Sequence, residues 1–119
     1  MNGAICISWK HSIPGREAKG LEVFGRAVER FEGMAKTGRI HAHHEYFAVT
    51  GTDGGFMLVT GELDELLKIT AEPETLALNA QAASIVNDFE IQVFAGGTDK
   101  AIQDLMANYT ESLTTLGYM

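Results

Sequence analysis

The feature that most constrains the fold of this 119-residue chain is the order in which two hydrophobic periods alternate along it. Alternation of apolar and polar residues with a period of two predicts a β-strand, whereas apolar residues three and four positions apart predict an α-helix. The period of two indicates four strands, over residues 3–9, 40–49, 56–60 and 88–95. Helical periods separate the first strand from the second and the third from the fourth.

The first helix is expected between the first two strands, with Pro14 in its first turn because a proline there loses no hydrogen bond. Gly38 ends it. Its apolar stripe is predicted from residues spaced by three and four: Leu21, Phe24, Val28, Phe31 and Ala35.

The second helical region is predicted as two pieces, because Pro73 interrupts the pattern that begins at "GELDELLKIT" and suits the first turn of a new helix. A last helix follows the fourth strand, with Thr98 as its N-cap and Gly117 as its left-handed C-terminal residue. Its predicted apolar stripe consists of Ile102, Leu105, Tyr109, Leu113 and Leu116.

The resulting order, β-α-β-β-α-β and a terminal helix, is the split βαβ pattern of ferredoxin-like domains. We therefore predict an α+β fold in one domain, residues 1–119, whose helices cover one face of a four-stranded antiparallel sheet. Residues expected on the other face are small or apolar: Ala4, Cys6, Ser8 and Phe94. Such a face is too apolar to stay in water, so a homodimer that encloses a cavity is expected.

Composition narrows the possible partners and compartment. The formal charge of −7 repels a phosphate backbone, so no nucleic acid is expected as a partner. Cys6 is the only cysteine, which excludes an internal disulfide. The N-terminus does not resemble a signal peptide and no apolar run reaches membrane-spanning length, so we expect a cytoplasmic protein without membrane contact.

Over residues 3–95 the chain resembles the dimeric α+β barrel superfamily. The resemblance rests on the order of elements and on the stretches "SWKHSIPGRE", "HEYFAVTGTDGGFMLVTGELDEL" and "AEPETL". It implies two ferredoxin-like subunits that pack sheet to sheet, with a pocket between each sheet and its helices. The superfamily includes cofactor-free monooxygenases, haem-degrading enzymes, isomerase-like and cyclase-like proteins, and many members without a known activity, so it does not define one function.

One departure from that superfamily bears on cofactors. Its monooxygenase-like and haem-degrading branches commonly carry a histidine on the helix after the third strand, where this chain reads "DELLKITAEPE" and has none. We therefore expect no haem and predict no cofactor, and the resemblance to the monooxygenases loses its best support.

The second predicted strand contains three of the four histidines, in "RIHAHHEYF". Because successive side chains of a strand alternate between faces, His41, His43 and Glu45 share one side. A histidine oriented by Glu45 could act as a general base, so these three are the candidate catalytic residues. Isomerase, cyclase or cofactor-independent oxygenase chemistry on a small apolar or aromatic substrate would fit such a base.

His44 and Tyr46 on the other side, and Trp9 at the end of the first strand, are the candidate ligand-binding residues. Two alternatives remain open. A metal site would need further ligands from another element, and since no such cluster is evident we predict none. In the second alternative, the histidine strand lies at a sheet edge, where polar side chains discourage pairing with the strands of other chains. His44 is then a buried, neutral core residue. The protein would then be a noncatalytic dimerisation module.

Overall fold

The structure, a computed structural model, describes residues 1–51 and 54–119. Its elements follow in the order β1 (Asn2–Trp9), α1 (Glu17–Lys36), β2 (Ala42–Phe47), β3 (Gly55–Glu62), α2 (Leu63–Ala71), α3 (Pro73–Ala83), β4 (Glu90–Ala95) and α4 (Asp99–Leu116). The predicted α+β, ferredoxin-like class is confirmed.

The four strands form one antiparallel sheet in the order β2-β3-β1-β4, so β2 and β4 are its edges. The predicted edge position of the histidine strand is therefore confirmed. β1 lies in the middle, with Ile5 opposite Val59 on one side and Val93 on the other. On β2, His43 is opposite Val59 and Glu45 is opposite Met57, which places both polar side chains on the same face as the core residues.

The helices α1, α2 and α3 cover that face and bury its apolar residues. Ile5 and Val59 pack there with Leu66 and Ile69 of α2, and all four are fully buried. On α1 the buried residues are Val23, Phe31 and Met34, whereas Leu21 is exposed. The buried stripe is therefore turned slightly from the predicted one, because α1 points its Val23 side, and not its Leu21 side, toward the sheet.

The opposite face of the sheet, which we call the open face, carries no helix in the part of the chain that the structure describes. Its central row runs across the four strands through His44, Leu58, Cys6 and Gln92, in register. Tyr46 stacks on Phe56 at a ring-centroid distance of 4.8 Å, and Phe94 is also exposed. The face thus combines apolar rings with polar side chains such as His44 and Gln92. Among the described residues it has no cover from its own subunit, as predicted.

Three local predictions are wrong. Pro14 precedes α1, because Pro14 and Gly15 form a turn in which Gly15 has φ +87° and Arg16 N–H donates to Ile13 O. The second strand begins at Ala42, so Ile40 is free to turn into the core, where it is 2% exposed. His44 is exposed on the open face and is not a core histidine of its own subunit. The turn predicted at "TGTDGG" lies partly outside the described residues.

The break between α2 and α3 is held by two arginines. Pro73 begins α3, as predicted, and Glu72 stands between the two helices. The Glu72 carboxylate accepts hydrogen bonds from Arg30 of α1 and from Arg39, each at 3.2 Å. The charges of both arginines are therefore compensated inside the chain.

The terminal helix α4 extends away from the rest of the molecule. Thr98 caps it by accepting a hydrogen bond from Ala101 N–H, and Gly117 ends it with φ +83°, both as predicted. Ala101 in the first turn is its one buried residue, although the structure describes the whole helix. The molecule is consequently elongated, 55 × 34 × 26 Å.

Candidate functional site

A cavity of about 230 Å³ lies between the covered face of the sheet and the helices α1 and α3. The sheet contributes Ile7, Trp9 and Met57, and the helices contribute apolar residues such as Ala27 and Ala82. Small residues of the two helices, Gly20, Ala27 and Ala82, leave space between larger lining residues such as Phe24, Phe31 and Leu78. A mostly apolar lining is what proteins use to hold small molecules.

Three aromatic rings stand at one end of the cavity. Trp9, Phe24 and Phe47 have ring centroids 5.3 to 6.0 Å apart, in tilted and edge-to-face arrangements. Phe47 is 61% exposed, so this end faces solvent and forms the mouth. Rings at these distances favour a flat aromatic molecule as a further partner.

Arg30 supplies the main polar feature of the cavity lining. Its Nη2 donates to Thr75 Oγ1 at 2.8 Å and to Glu72, and its Nη1 is bonded to Glu74. The Nε–H is buried and has no hydrogen-bond partner among the described residues. A buried donor without a partner is costly, so this corner is prepared to accept a hydrogen-bond acceptor from a bound molecule or from water.

His43 and Glu45 form a hydrogen-bonded pair, and Glu32 of α1 joins it. The Nδ1 of His43 lies 2.5 Å from Glu45 Oε1, and Nε2 lies 2.6 Å from Glu32 Oε2. The hydrogen bond to Glu32, and then those to Glu45, raise the pKa of His43 above its ordinary value, against the opposing effect of partial burial. A carboxylate at each ring nitrogen favours the imidazolium form, which can donate to both.

The other candidate residues are divided between surfaces. His41 is half exposed, with Nε2 3.7 Å from Glu62 Oε1. His44 and Tyr46 lie on the open face, and Tyr46 borders a wider hollow of about 670 Å³ at the β2–β3 end of the sheet. Trp9 lines the cavity. The structure thus brings His43 and Glu45 together but places neither in the cavity lining, and all these roles stay predictions.

The histidine strand has few of the further ligands that a metal ion requires. Within residues 1–51 and 54–119, no group of three or more His, Cys, Asp or Glu side chains has a geometry that could hold a metal ion.

Among the described residues, no helix is long and apolar enough to cross a lipid bilayer.

Four polar residues line the cavity and were not predicted from the sequence as residues of a site: Ser12, Arg30, Thr75 and Asn79. A signal for Arg30 was present. It occupies the seventh position after Val23, on the helical stripe that Val23, Phe31 and Met34 bury. A charged residue on a buried stripe requires buried partners, which is a reason to suspect a site.

Comparison with solved structures identifies proteins of the same fold. SnoaB from Streptomyces nogalater, a cofactor-independent oxygenase, has 14% identity and a TM-score of 0.58, over 82% of this chain and 93% of that one. A dimeric ferredoxin-like protein of unknown function from Thermobifida fusca YX has 13% identity and a TM-score of 0.53, over 80% and 92%.

A third similar structure is a dimeric protein of unknown function and ferredoxin-like fold from Bacteroides fragilis NCTC 9343. It has 16% identity and a TM-score of 0.52, over 77% of this chain and 94% of that one. No protein-family model matches the sequence, and no curated protein matches it. The resemblance to dimeric α+β barrel proteins is thus confirmed in the fold, which is the ferredoxin-like fold of known dimeric proteins.

Proposed function

We propose that the protein binds a small, mostly apolar molecule in the cavity between sheet and helices, and that it does so as a homodimer. This proposal rests on the cavity with its aromatic mouth and on a donor at its wall, Arg30 Nε–H, that has no partner among the residues that the structure describes. Apolar cavities of about 150 Å³ take up benzene. A cavity of about 230 Å³ fits one aromatic ring with a short substituent.

Charge around Arg30 favours an uncharged ligand. The guanidinium is already compensated by Glu72 and Glu74, so an anionic ligand would bring a third negative charge into a poorly solvated site. A carbonyl or hydroxyl oxygen accepts from Nε–H without that cost. The substrate class that fits is therefore a neutral aromatic or apolar molecule with one hydrogen-bond acceptor.

Chemistry on that molecule is the finer part of the proposal. The fold is that of SnoaB, which is a cofactor-independent oxygenase, and isomerase or cyclase chemistry would use the same kind of site. His43 and Glu45, with His41 beside them, are the proposed general base, and they lie on the covered face next to Phe47 at the cavity mouth. His43 would first have to give up one of its two ring protons, to Glu32 or to solvent, and part from the carboxylate at that nitrogen before it could accept a proton from a substrate.

That requirement favours a second candidate function, a noncatalytic homodimer in which the polar strand is structural. Both ring nitrogens of His43 are engaged by carboxylates within the chain. In this alternative the residue joins β2 to α1 and takes no part in a reaction. His44 and Tyr46, proposed as ligand contacts, would instead contact the second subunit across the open face.

Dimerisation through the open face is proposed because this face exposes apolar rings. Tyr46, Phe56 and Phe94 are 49%, 39% and 48% exposed. Two of the similar structures are described as dimeric. Pairing of two open faces would remove these rings from water.

A cavity-filling variant tests the ligand proposal. Trp9 is the only tryptophan, so the single indole N–H resonance in an NMR spectrum reports on the cavity mouth. Acetophenone should shift this resonance in the wild type. Ala82→Leu should weaken that binding at least about tenfold, because the added side chain occupies the cavity. The matched control Ala83→Leu changes an exposed position on the same helix and should bind as the wild type does. Equal binding by both variants would contradict the proposal.

Arg30 is tested with the isosteric pair acetophenone and ethylbenzene, of which only the ketone has an acceptor. The wild type should bind acetophenone roughly tenfold more tightly. Arg30→Lys keeps the charge beside Glu72 and Glu74 but removes the Nε–H, and should bind the two molecules equally. A preference that survives in Arg30→Lys would assign recognition to another group.

A further inference from the structure

We propose that α4 is a dimerisation arm whose apolar stripe packs on a second copy of this chain, beside the open face. The stripe is defined by six residues that fall within an arc about 100° wide at the helical repeat of 3.6 residues per turn: Ile102, Leu105, Met106, Tyr109, Leu113 and Leu116. Four of them are strongly exposed, Ile102 at 49%, Met106 at 52%, Tyr109 at 58% and Leu116 at 70%.

The stripe has no partner in its own subunit among the described residues. The covered face of the sheet is already occupied by α1, α2 and α3, and only Ala101 in the first turn of α4 is buried. A lone amphipathic helix gains little from its own hydrogen bonds, and most of the stability of helices in proteins comes from packing an apolar face. A continuous helix from Asp99 to Leu116 with an exposed apolar stripe therefore indicates a partner from outside the subunit.

The base of the arm is fixed, which gives the helix a defined direction. Gly96 N–H donates to Asn2 O at 2.9 Å, and Thr98 caps the helix. Ile102 lies close to Gly96, where a Cβ would be 3.3 Å from its Cδ1. The arm thus projects from the end of the edge strand β4 as a held element.

The charges of α4 argue against a lipid membrane as the partner of its apolar stripe. The polar side of α4 carries Asp99, Asp104 and Glu111 against Lys100. Amphipathic helices that lie on membranes have lysine and arginine on their polar side, because the lipid surface is anionic. The whole chain has a charge of −7, which adds to the repulsion.

The area needed by a stable dimer favours a second copy. Two strands of eight residues and two of six, about 4.8 Å apart, give the open face a flat footprint of roughly 450 Å². A standard stable interface buries about 800 Å² of accessible surface on each partner. An 18-residue helix is about 27 Å long, so covering its apolar stripe adds a few hundred Å² to what the open face alone can bury.

The open face and α4 are close together along the chain, which supports a second copy as the partner of both. Phe94 is exposed on the open face, and its strand β4 leads into α4 within a few residues. A copy seated on the open face is therefore within reach of the arm. This inference rests on the homodimer proposed above and adds to it a second contact that the sheets alone do not provide.

The experiment is sedimentation equilibrium of the full chain and four variants. The wild type should be a dimer, and Tyr109→Glu should raise the dimer dissociation constant at least about tenfold, since buried tyrosines contribute strongly to interfaces. Asn108→Glu adds the same charge one position away, on the polar side, and should change the constant less than about threefold. Far-UV circular dichroism checks that each variant folds. If Tyr109→Glu does not fold, Met106→Glu is used in its place.

Phe56→Glu, on the open face, distinguishes the proposal of a dimer formed through the sheets from the proposal that α4 is a dimerisation arm. Dissociation of both Phe56→Glu and Tyr109→Glu supports the arm. Dissociation of Phe56→Glu with an unchanged Tyr109→Glu would overturn the arm and leave the sheet dimer standing. A monomeric wild type at ~100 µM would overturn both.

Discussion

His43 connects the edge strand to the first helix through two carboxylates. Only 11% of its side chain is exposed, and each ring nitrogen donates to an acid, Glu45 on its own strand and Glu32 on α1. The interaction favours the charged ring, which is why the pKa of His43 is raised. It also lowers the pKa of Glu32. The pair is therefore most stabilising where His43 is protonated and Glu32 is ionised.

The contacts of His43 with its carboxylates make the stability of the fold depend on pH. Because the pKa of His43 is raised on folding, its contribution is fully present below the unfolded value of about 6.5 and is lost as pH rises through the folded value. Glu32→Gln should therefore reduce the loss of unfolding free energy between pH 6 and pH 8. NMR titration should also give a lower pKa for His43 in this variant.

Glu29→Gln is the matched control, one helical turn earlier on α1 and exposed. It should leave both the pH profile and the His43 titration as in the wild type. Identical behaviour of the Glu29 and Glu32 variants would show that Glu32 does not bind the ring in solution.

At this scale the sequence predicted the Glu45 contact and missed Glu32. Residues two apart on a strand are neighbours by local geometry, so the pairing of His43 with Glu45 could be derived from spacing alone. The contact with Glu32 depends on how α1 crosses the sheet, which local periodicity does not determine. The same reason explains why Arg30 was missed.

Two glycines, one within helix α1 and one in the turn after it, differ in backbone conformation. Gly33 is exposed within α1, and a Cβ added there meets nothing within 4 Å. Gly33→Ala should raise the free energy of unfolding by about 0.5 to 1 kcal/mol, because alanine loses less backbone entropy in a helix. Gly38 follows the helix with φ +79°, where a side chain is strained. Gly38→Ala should lower the free energy of unfolding by about 1 kcal/mol.

Urea denaturation of the two variants measures both changes. The substitutions are chemically the same and lie five residues apart, so they differ mainly in backbone conformation. A decrease for Gly33→Ala, or an increase for Gly38→Ala, would contradict a helix α1 that ends at Lys36.

Most elements could be predicted because their periods and end residues agree. Thr98, Gly117 and Pro73 each have the role expected of their residue type. Pro14 was misplaced because proline also suits a turn, and Gly15 after it favours the turn. Ile40 was assigned to a strand because an apolar residue next to an alternating run has the same pattern whether it pairs or turns inward.

The whole molecule has two apolar surfaces with no partner in the described part of the chain, the open face and the stripe of α4. Cys6 lies at the centre of the open face and is the only thiol, so its reactivity reports on that surface. Burial and the nearby Glu90 raise the pKa of the thiol, which already slows its reaction in the single subunit. A covering copy should slow it further.

Labelling of Cys6 by N-ethylmaleimide should therefore become slower as the protein concentration is raised through the dimer dissociation constant. In Phe56→Glu, the labelling rate should stay at its dilute value at every concentration. A wild-type rate that is independent of concentration would indicate that the open face is not the interface.

At this scale the sequence predicted the apolar open face, since alternation assigns residues to faces. Alternation alone could not predict the cavity, which only the resemblance to the superfamily implied, because a void depends on how the side chains of two helices meet the sheet. Nor could it predict that α4 leaves its own subunit: the periodicity of α4 defines an apolar stripe and not the surface that covers it.

The measurement that tests binding in the cavity most directly is the position of bound acetophenone, from nuclear Overhauser effects to the side chains of β3. Met57 lines the cavity, and its neighbour Leu58 points to the open face. We predict strong transfer from the ring protons of the ligand to the Met57 methyl and none to the Leu58 methyls. Transfer to Leu58 without transfer to Met57 would place the ligand on the wrong side of the sheet and contradict a binding site between sheet and helices.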